Sequence, residues 1–361
     1  MTNLLTPYVS PALRLPNRVA MAPMTRFRAD AVTGVPHAAT AAYYAQRASA
    51  ALIVTEGVFT EWRGRGEAGV PGLLTDGQAA GWAGVTTAVH AAGGRIFAQL
   101  WHVGRLNHHL NNPGAERPIA PSAVAAEGLV RAGDAKVPFE VPEAMTAQDI
   151  DAVIAGFAEA ARKAVAAGFD GVEIHGANGY LFKQFHGDNT NLRTDGYGGS
   201  VNGRVRFTVE TVEAVAEAVG AERVGLRVSP DNPENGVAES DPAGLYRVLA
   251  TTLDPRGLAY LHVSEKGRYP AIADLRKHWS GTLIGNHDPA DPTDRATGEA
   301  MIAAGHADIV AYGRSFIANP DLPRRFATGA PLAGINEEHL YAGVPDGYTD
   351  YAPLPHDGTW S

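Results

Sequence analysis

From Thr146 to His175 the chain reads TAQDIDAVIAGFAEAARKAVAAGFDGVEIH, and its hydrophobic period changes partway along. Ile150, Val153, Ile154, Phe157, Ala161 and Val165 recur every three or four residues and make one apolar stripe of a helix. Thr146 can cap that helix, Asp149 and Asp151 sit in its first turn, Arg162 and Lys163 lie late, and Gly168 can close it. Gly171–His175 is too brief for a helix and suits a strand. A helix that runs straight into a strand is the building unit of a parallel sheet.

The unit recurs. Strands are predicted at Arg18–Met24, Ala51–Gly57, Arg95–His102, Gly171–His175, Val224–Ser229, Tyr260–Ser264, Thr282–Gly285 and Asp308–Gly313. Leu52-Ile53-Val54 and Ile309-Val310-Ala311 are apolar on every residue, as strands covered on both faces are. Thr75-Asp76-Gly77-Gln78 reads as a capping box opening a helix to about Ala92. Further helices fit Val201–Val219, Pro242–Leu253, Asp294–Ala304 and Pro320–Thr328. Eight strands alternating with helices predict an α/β chain forming one (β/α)8 TIM barrel over residues 1–361. It carries an N-terminal segment and, after the third strand, an excursion at 103–144, rich in Pro, Gly and Asn, that is expected to act as a lid.

Composition narrows the chemistry. None of the 361 residues is cysteine, which removes disulfides, a thiol nucleophile, thiolate zinc sites and cysteine-held iron–sulfur clusters. With 30 Lys and Arg against 39 Asp and Glu the net charge is −9, favouring solubility and opposing a nucleic-acid or anionic-membrane partner. No signal-like or membrane-spanning run is seen, so a cytoplasmic monomer or small homo-oligomer is expected. Gly64-Arg65-Gly66-Glu67-Ala68-Gly69 matches the dinucleotide fingerprint, but Val70-Pro71-Gly72 follows where a helix should begin, so it is read as a loop. His108-His109 is read as a solvated pair in the excursion, and no metal is expected.

In such a barrel the site is built at the C-terminal ends of the strands. Thr25, Gln99, His175, Asn178, Arg227, Asn286 and Arg314 fall there or within a strand. Each alone has a structural explanation, but seven gathered at one mouth point to a ligand. Gln99 pairs a donor with an acceptor, as a flat heterocyclic imide requires, and Arg227 adds a fixed charge. Arg314, after the last strand, sits where barrels bind phosphate. An isoalloxazine ring with a phosphate tail fits the set.

The chain resembles the old yellow enzyme family over nearly its whole length. The resemblance rests on Arg18-Val-Ala-Met-Ala-Pro-Met-Thr-Arg26, Phe97-Ala-Gln-Leu-Trp-His-Val-Gly-Arg105, Val172-Glu-Ile-His-Gly-Ala-Asn-Gly-Tyr-Leu181 and Asn191-Leu-Arg-Thr-Asp-Gly-Tyr-Gly-Gly-Ser200. Gly225-Leu-Arg-Val-Ser-Pro230, Ala311-Tyr-Gly-Arg314, Ile317-Ala-Asn-Pro-Asp-Leu322 and Gly347-Tyr-Thr-Asp-Tyr351 continue it in the same order. It implies an FMN-dependent ene-reductase that takes hydride from NADPH or NADH and delivers it to small activated alkenes. Pro23, Met24, Thr25 and Gly57 would line the flavin, Gln99 hold its pyrimidine edge and Arg227 face its N1/O2 side. Gly285 and Asn286 would follow strand seven beside it, and Gly313 with Arg314 would hold the phosphate. His175 and Asn178 would donate to the substrate oxygen, Tyr180 would give the proton, and Trp101, Glu67 and Tyr341 would wall the substrate space.

Glu67 stands where the family often has tyrosine, and Asn286-His287-Asp288 where it often has more glycine, so an aspartate would come near the phosphate. Asn202-Gly203 replaces a frequent Glu-Asn, and Thr25 replaces the cysteine of some relatives. Other readings are a barrel reductase of nitro compounds, nitrate esters or dienoyl thioesters, and a non-catalytic flavin-binding barrel. Tyr180 beside the His175–Asn178 pair favours catalysis, because a flavin store needs no proton donor.

Overall fold

Val310, Ala311 and Tyr312 pair in parallel with Val19, Ala20 and Met21, so strands from opposite ends of the chain meet and close a ring. The computed structural model describes residues 3–287, 293–341 and 344–355. Its barrel strands are β1 (Val19–Met21), β2 (Ile53–Phe59), β3 (Ile96–Trp101), β4 (Gly171–Gly176), β5 (Val224–Val228), β6 (Tyr260–Glu265), β7 (Leu283–His287) and β8 (Ile309–Tyr312). All eight are parallel and each lies beside its neighbours in sequence, the (β/α)8 barrel that the alternation predicts. β1 is shorter than Arg18–Met24 because the chain leaves the sheet before Pro23, whose missing N–H cannot extend a ladder.

The helices are α1 (Ala39–Ala45), α2 (Asp76–Ala91), α3 (Ala147–Ala166), α4 (Leu181–His186), α5 (Val201–Val219), α6 (Pro242–Leu253), α7 (Ala271–Leu275), α8 (Arg295–Ala303), α9 (Arg314–Ala318) and α10 (Leu322–Thr328). Capping boxes form at Thr75 with Gln78 and at Thr146 with Asp149. Along α3, Ile150, Val153 and Phe157 are buried against the barrel, each worth roughly 1.5–3 kcal/mol. α1, α4, α7 and α9, none longer than two turns, are absent from the sequence reading. Every residue of α4 is buried, so it has no polar face to betray it.

The N-terminal segment folds into a ribbon, Tyr8–Val9 against Arg14–Leu15. Leu13 and Leu15 pack on Phe97, Tyr260, Ile284 and Ile309, closing the barrel at the N-terminal ends of its strands. Residues 64–69 are a loop, with the next α-helix beginning at Asp76.

The excursion holds a parallel pair, Ile119–Ala120 with Glu143–Ala144, and a hairpin, Leu129–Ala132 with Ala135–Pro138. Its Val103, Leu106, Ala126 and Phe139 pack beneath Trp101, Phe59 and Tyr180. His108 is not solvated as expected, while His109 is partly exposed. His108 is buried, and Glu140 accepts from both the His109 backbone N–H and its Nδ1 at 2.7 Å. His108, His109 and Glu140 lie close enough to share an ion, though the His108 Nδ1 already accepts from the Leu110 N–H.

A cluster of arginines and tyrosines ties the C-terminal segment to the barrel. Tyr43 and Tyr348 stack at 4.2 Å, and the Arg26 guanidinium lies over both rings. Arg26 donates to the carbonyls of Leu340 and Gly347, and Arg28 to that of His339. Arg26 is fully buried, so losing these acceptors would strand a charge, at a cost of roughly 3–5 kcal/mol.

Candidate active site

At the C-terminal ends of the strands a cavity of ≈ 400 Å³ opens, within the range of small-molecule sites. Pro23, Met24 and Thr25 enter it after β1, Gln99 and Trp101 from β3, and His175, Asn178 and Tyr180 from the end of β4. Gly57, Arg227, Asn286, Gly313, Arg314 and Tyr341 complete the expected set in its lining. Gly285 and Glu67 are the two expected residues that do not line it. A Cβ at Gly285 would point at Ala307, Met301 and Ile272 in the helical layer, because the strand alternation that sends Asn286 inward sends Gly285 outward. Glu67 sits in the loop before Val70, close enough only for its charge to act on Tyr180.

The polar floor is set by register. Gln99 faces Glu173 across β3 and β4, and its Nε2 donates to the Glu173 carboxylate at 2.7 Å. His262 Nδ1 bonds the other carboxylate oxygen at 2.8 Å. Burial would raise the Glu173 carboxyl, but His262, Arg227 and Gln99 together hold it below the usual range. His175 and Arg227 are register partners across β4 and β5, and Arg227 Nη2 donates to Asn286 Oδ1 at 2.8 Å. The wall depends on one glycine. A register shift after Val54 brings Gly57 opposite Gln99, and a Cβ there would overlap the Trp101 ring.

His175 is driven down to about 3 by burial and then by the nearby Arg227 charge, so its imidazole is neutral. Its Nδ1 is buried without a hydrogen-bond partner among the described residues. Asn178 adopts a left-handed conformation, φ +56°, followed by Gly179 at +77°. This turn presents Tyr180 edge-on to Trp101 with ring centroids 4.9 Å apart. Burial, and then the charges of Glu234, Tyr341 and Glu67, push the Tyr180 phenol well above its ordinary value.

Arg314 reaches the mouth but pairs with Glu337 of the C-terminal segment, a partner the sequence reading does not foresee. Thr25 lines the cavity, and Asp288 lies outside the described residues. Phe27, Glu234, Lys266, His287 and Leu340 also line the site. Lys266 follows β6 directly, so the strand-end rule reaches it; Glu234 and Leu340 lie in loops with no such signal.

The described chain matches, over residues 3–333, the family described as NADH:flavin oxidoreductase / NADH oxidase. Among curated relatives, the chanoclavine-I aldehyde reductase fgaOx3 of Penicillium roqueforti is 43% identical, covering 98% of this chain and 96% of that protein. The 12-oxophytodienoate reductase 1 of Oryza sativa subsp. japonica is 40% identical over 96% and 92%. Morphinone reductase in complex with tetrahydroNAD superposes with a TM-score of 0.94 at 44% identity, covering all of both chains. The old yellow enzyme homologue from Zymomonas mobilis gives 0.93 at 40%, over 97% and 99%. A likeness that spans the whole barrel and includes the end where its polar groups gather makes this chain a member of the NADH:flavin oxidoreductase / NADH oxidase family, an FMN-dependent oxidoreductase of the old yellow enzyme group.

Proposed function

We propose that this cavity reduces the carbon–carbon double bond of small activated alkenes, such as enones and nitroalkenes, with NADPH or NADH as reductant and in two half-reactions at one site. The observation that carries the reading is the convergence of His175, Asn178 and Tyr180 on a cavity whose floor holds Gln99 and Arg227.

The residues fit a flavin. Gln99 gives its Nε2 to Glu173, so its Oε1 is left to accept from an imide N–H. Arg227 supplies positive charge beside it, and Gly57 lines the cavity with its missing Cβ making room for the Trp101 ring. Pro23, Met24, Thr25, Gln99, Arg227 and Asn286 would hold the ring, and Gly313 with Arg314 the phosphate. FMN bound here supplies the hydride that the alkene accepts.

The side chains do the rest. His175, held neutral, keeps one N–H to donate, and Asn178 adds its carboxamide, so both polarise the substrate oxygen. The Arg227 charge favours the more negative reduced ring, because a preorganised cation costs no reorganisation at the moment of reaction. Tyr180 keeps its proton at neutral pH and delivers it to the α-carbon as the β-carbon is reduced. Trp101 excludes water from one side of the substrate, while residues 103–144 brace that wall from behind rather than entering the cavity.

The net charge of −9 opposes a nucleic-acid partner, and the proposed work is on small molecules in the cytoplasm, as a monomer or small homo-oligomer. No helix of the described residues is long and apolar enough to cross a membrane. The test is an anaerobic titration: purified protein should be yellow, bleach with NADPH or NADH and recolour with cyclohexenone or maleimide. A colourless protein that FMN cannot reconstitute would end this reading.

A further inference from the structure

Asn178 is gripped at three points by the segment that follows β5. Its backbone N–H donates to Ser229 Oγ at 2.8 Å, its carbonyl accepts from Asn235 Nδ2 at 2.7 Å, and its side-chain Oδ1 accepts from Asn232 Nδ2 at 3.3 Å. The turn cannot drift from that brace, since a Cβ at Gly179 would lie 2.7 Å from that of Asn235.

The third contact decides which end of the Asn178 carboxamide meets a substrate. An asparagine side chain has an acceptor end and a donor end of nearly equal shape, so its orientation follows from its partners. Asn232 is buried and has no such freedom. Its Oδ1 accepts the Glu234 backbone N–H at 3.0 Å, and a backbone N–H can only donate. The Asn232 Nδ2 must therefore face the other way, where its two hydrogens go to Asn178 Oδ1 and Glu234 Oε2, each at 3.3 Å. With Asn178 Oδ1 occupied, only its Nδ2 is left for the cavity.

We infer that Asn232 is a positioning residue: it locks the Asn178 carboxamide with its N–H bonds toward the substrate, so that the His175–Asn178 pair presents donors to the ligand oxygen. The inference rests on the reading of His175 and Asn178 as substrate-oxygen donors. It makes the selection of an oxygen-ended ligand depend on a backbone N–H two residues beyond Asn232, through a relay that never touches the ligand.

The isosteric variant Asn232→Asp tests it. In a Glu234→Gln background, which removes the carboxylate 3.3 Å away that would otherwise share a proton with it, the new carboxylate at pH 8 still accepts the backbone N–H of residue 234 but cannot donate, so the Asn178 carboxamide turns its Nδ2 toward residue 232 and its oxygen into the cavity. Calorimetric titration of the FMN-loaded protein with 4-hydroxybenzaldehyde should show binding weakened at least tenfold. In Asn232→Ala, where Asn178 can turn either way, the loss should be only a few-fold. KM for cyclohexenone should rise with the same ranking. Structural damage predicts the same ranking, since a buried carboxylate costs more than a small cavity, so the Asn178→Ala background decides. In an Asn178→Ala background Asn232→Asp should add nothing, and a persisting tenfold loss there would overturn the inference. If Asn178→Ala by itself leaves binding unchanged, the donor-pair reading falls and the inference with it. If Asn178→Ala weakens binding and Asn232→Asp does not, the inference alone falls.

Discussion

The Gln99 carboxamide and the Glu173 carboxylate meet at 2.7 Å from facing positions on β3 and β4. The contact fixes which end of Gln99 reaches the cavity, so Glu173→Met, which has no oxygen to accept, should release the amide and weaken FMN binding. One net hydrogen bond is worth about 1 kcal/mol, so the dissociation constant, read by fluorescence titration of the apoprotein, should rise roughly five- to tenfold. Removing the buried negative charge should also raise the midpoint potential of the bound flavin. Unchanged affinity and potential would show that Glu173 does not act on the ring.

Gly57→Ala forces a methyl group into the Trp101 ring. Overpacking of this kind costs about 1–3 kcal/mol, so thermal unfolding should shift down. Adding Trp101→Val removes the overlapping ring and should recover part of the loss. A double variant no more stable than Gly57→Ala would mean that the indole is not the obstacle.

His175 lies at about 3 and the Tyr180 phenol well above its usual range, so neither changes charge between pH 5 and 9. Stopped-flow oxidation of the reduced flavin by cyclohexenone should be flat across that interval. An inflection near 6.5 that vanishes in His175→Asn would contradict the neutral imidazole. Tyr180→Phe should slow this half-reaction about 10²-fold or more and leave reduction by NADPH within twofold.

Glu56 is buried in β2, where its carboxylate accepts the Arg26 N–H at 3.1 Å, and burial raises it to about 7 from 4.5. The native protein then binds more protons than the unfolded chain between those values. Its contribution is complete below 4.5 and is lost as pH rises through 7, a change on the order of 3 kcal/mol at most. Glu56→Gln keeps the neutral shape, so the drop in urea stability from pH 5 to pH 8 should shrink. An equal drop in both proteins would refute the assignment.

Arg314 and Glu337 are both half exposed, and their pairing competes with any anion at the mouth. Glu337→Gln should tighten FMN binding about two- to fivefold at low salt and less at high salt, because exposed pairs are weak and screened. Binding that weakens would show that Glu337 supports the site instead.

The barrel is legible in the sequence because its two periods are clean: Leu52-Ile53-Val54 cannot face water on either side, and the α3 stripe is uninterrupted. Strand ends then point to most of the cavity. Gly285 shows the limit, since a position one residue from the mouth faces the wrong layer and only the pairing register reveals it. The roles of Glu173, Asn232 and Glu337 are not legible for a different reason. Each acts through a partner distant in sequence, and nothing in the local pattern marks a carboxylate or amide whose value lies in turning another side chain.

The closure of β8 on β1 gives the site a place in time as well as in space. Its lining takes Pro23 and Thr25 from one end of the chain and Gly313, Arg314 and Tyr341 from the other, with Arg26 and Arg28 holding the carbonyls of Leu340 and His339 just before the last of these. A chain emerging from the ribosome therefore has no flavin pocket until nearly all of it is made. Cofactor uptake reports completion of synthesis: stalled chains ending before residue 309 should retain no flavin, whereas released full-length chains should.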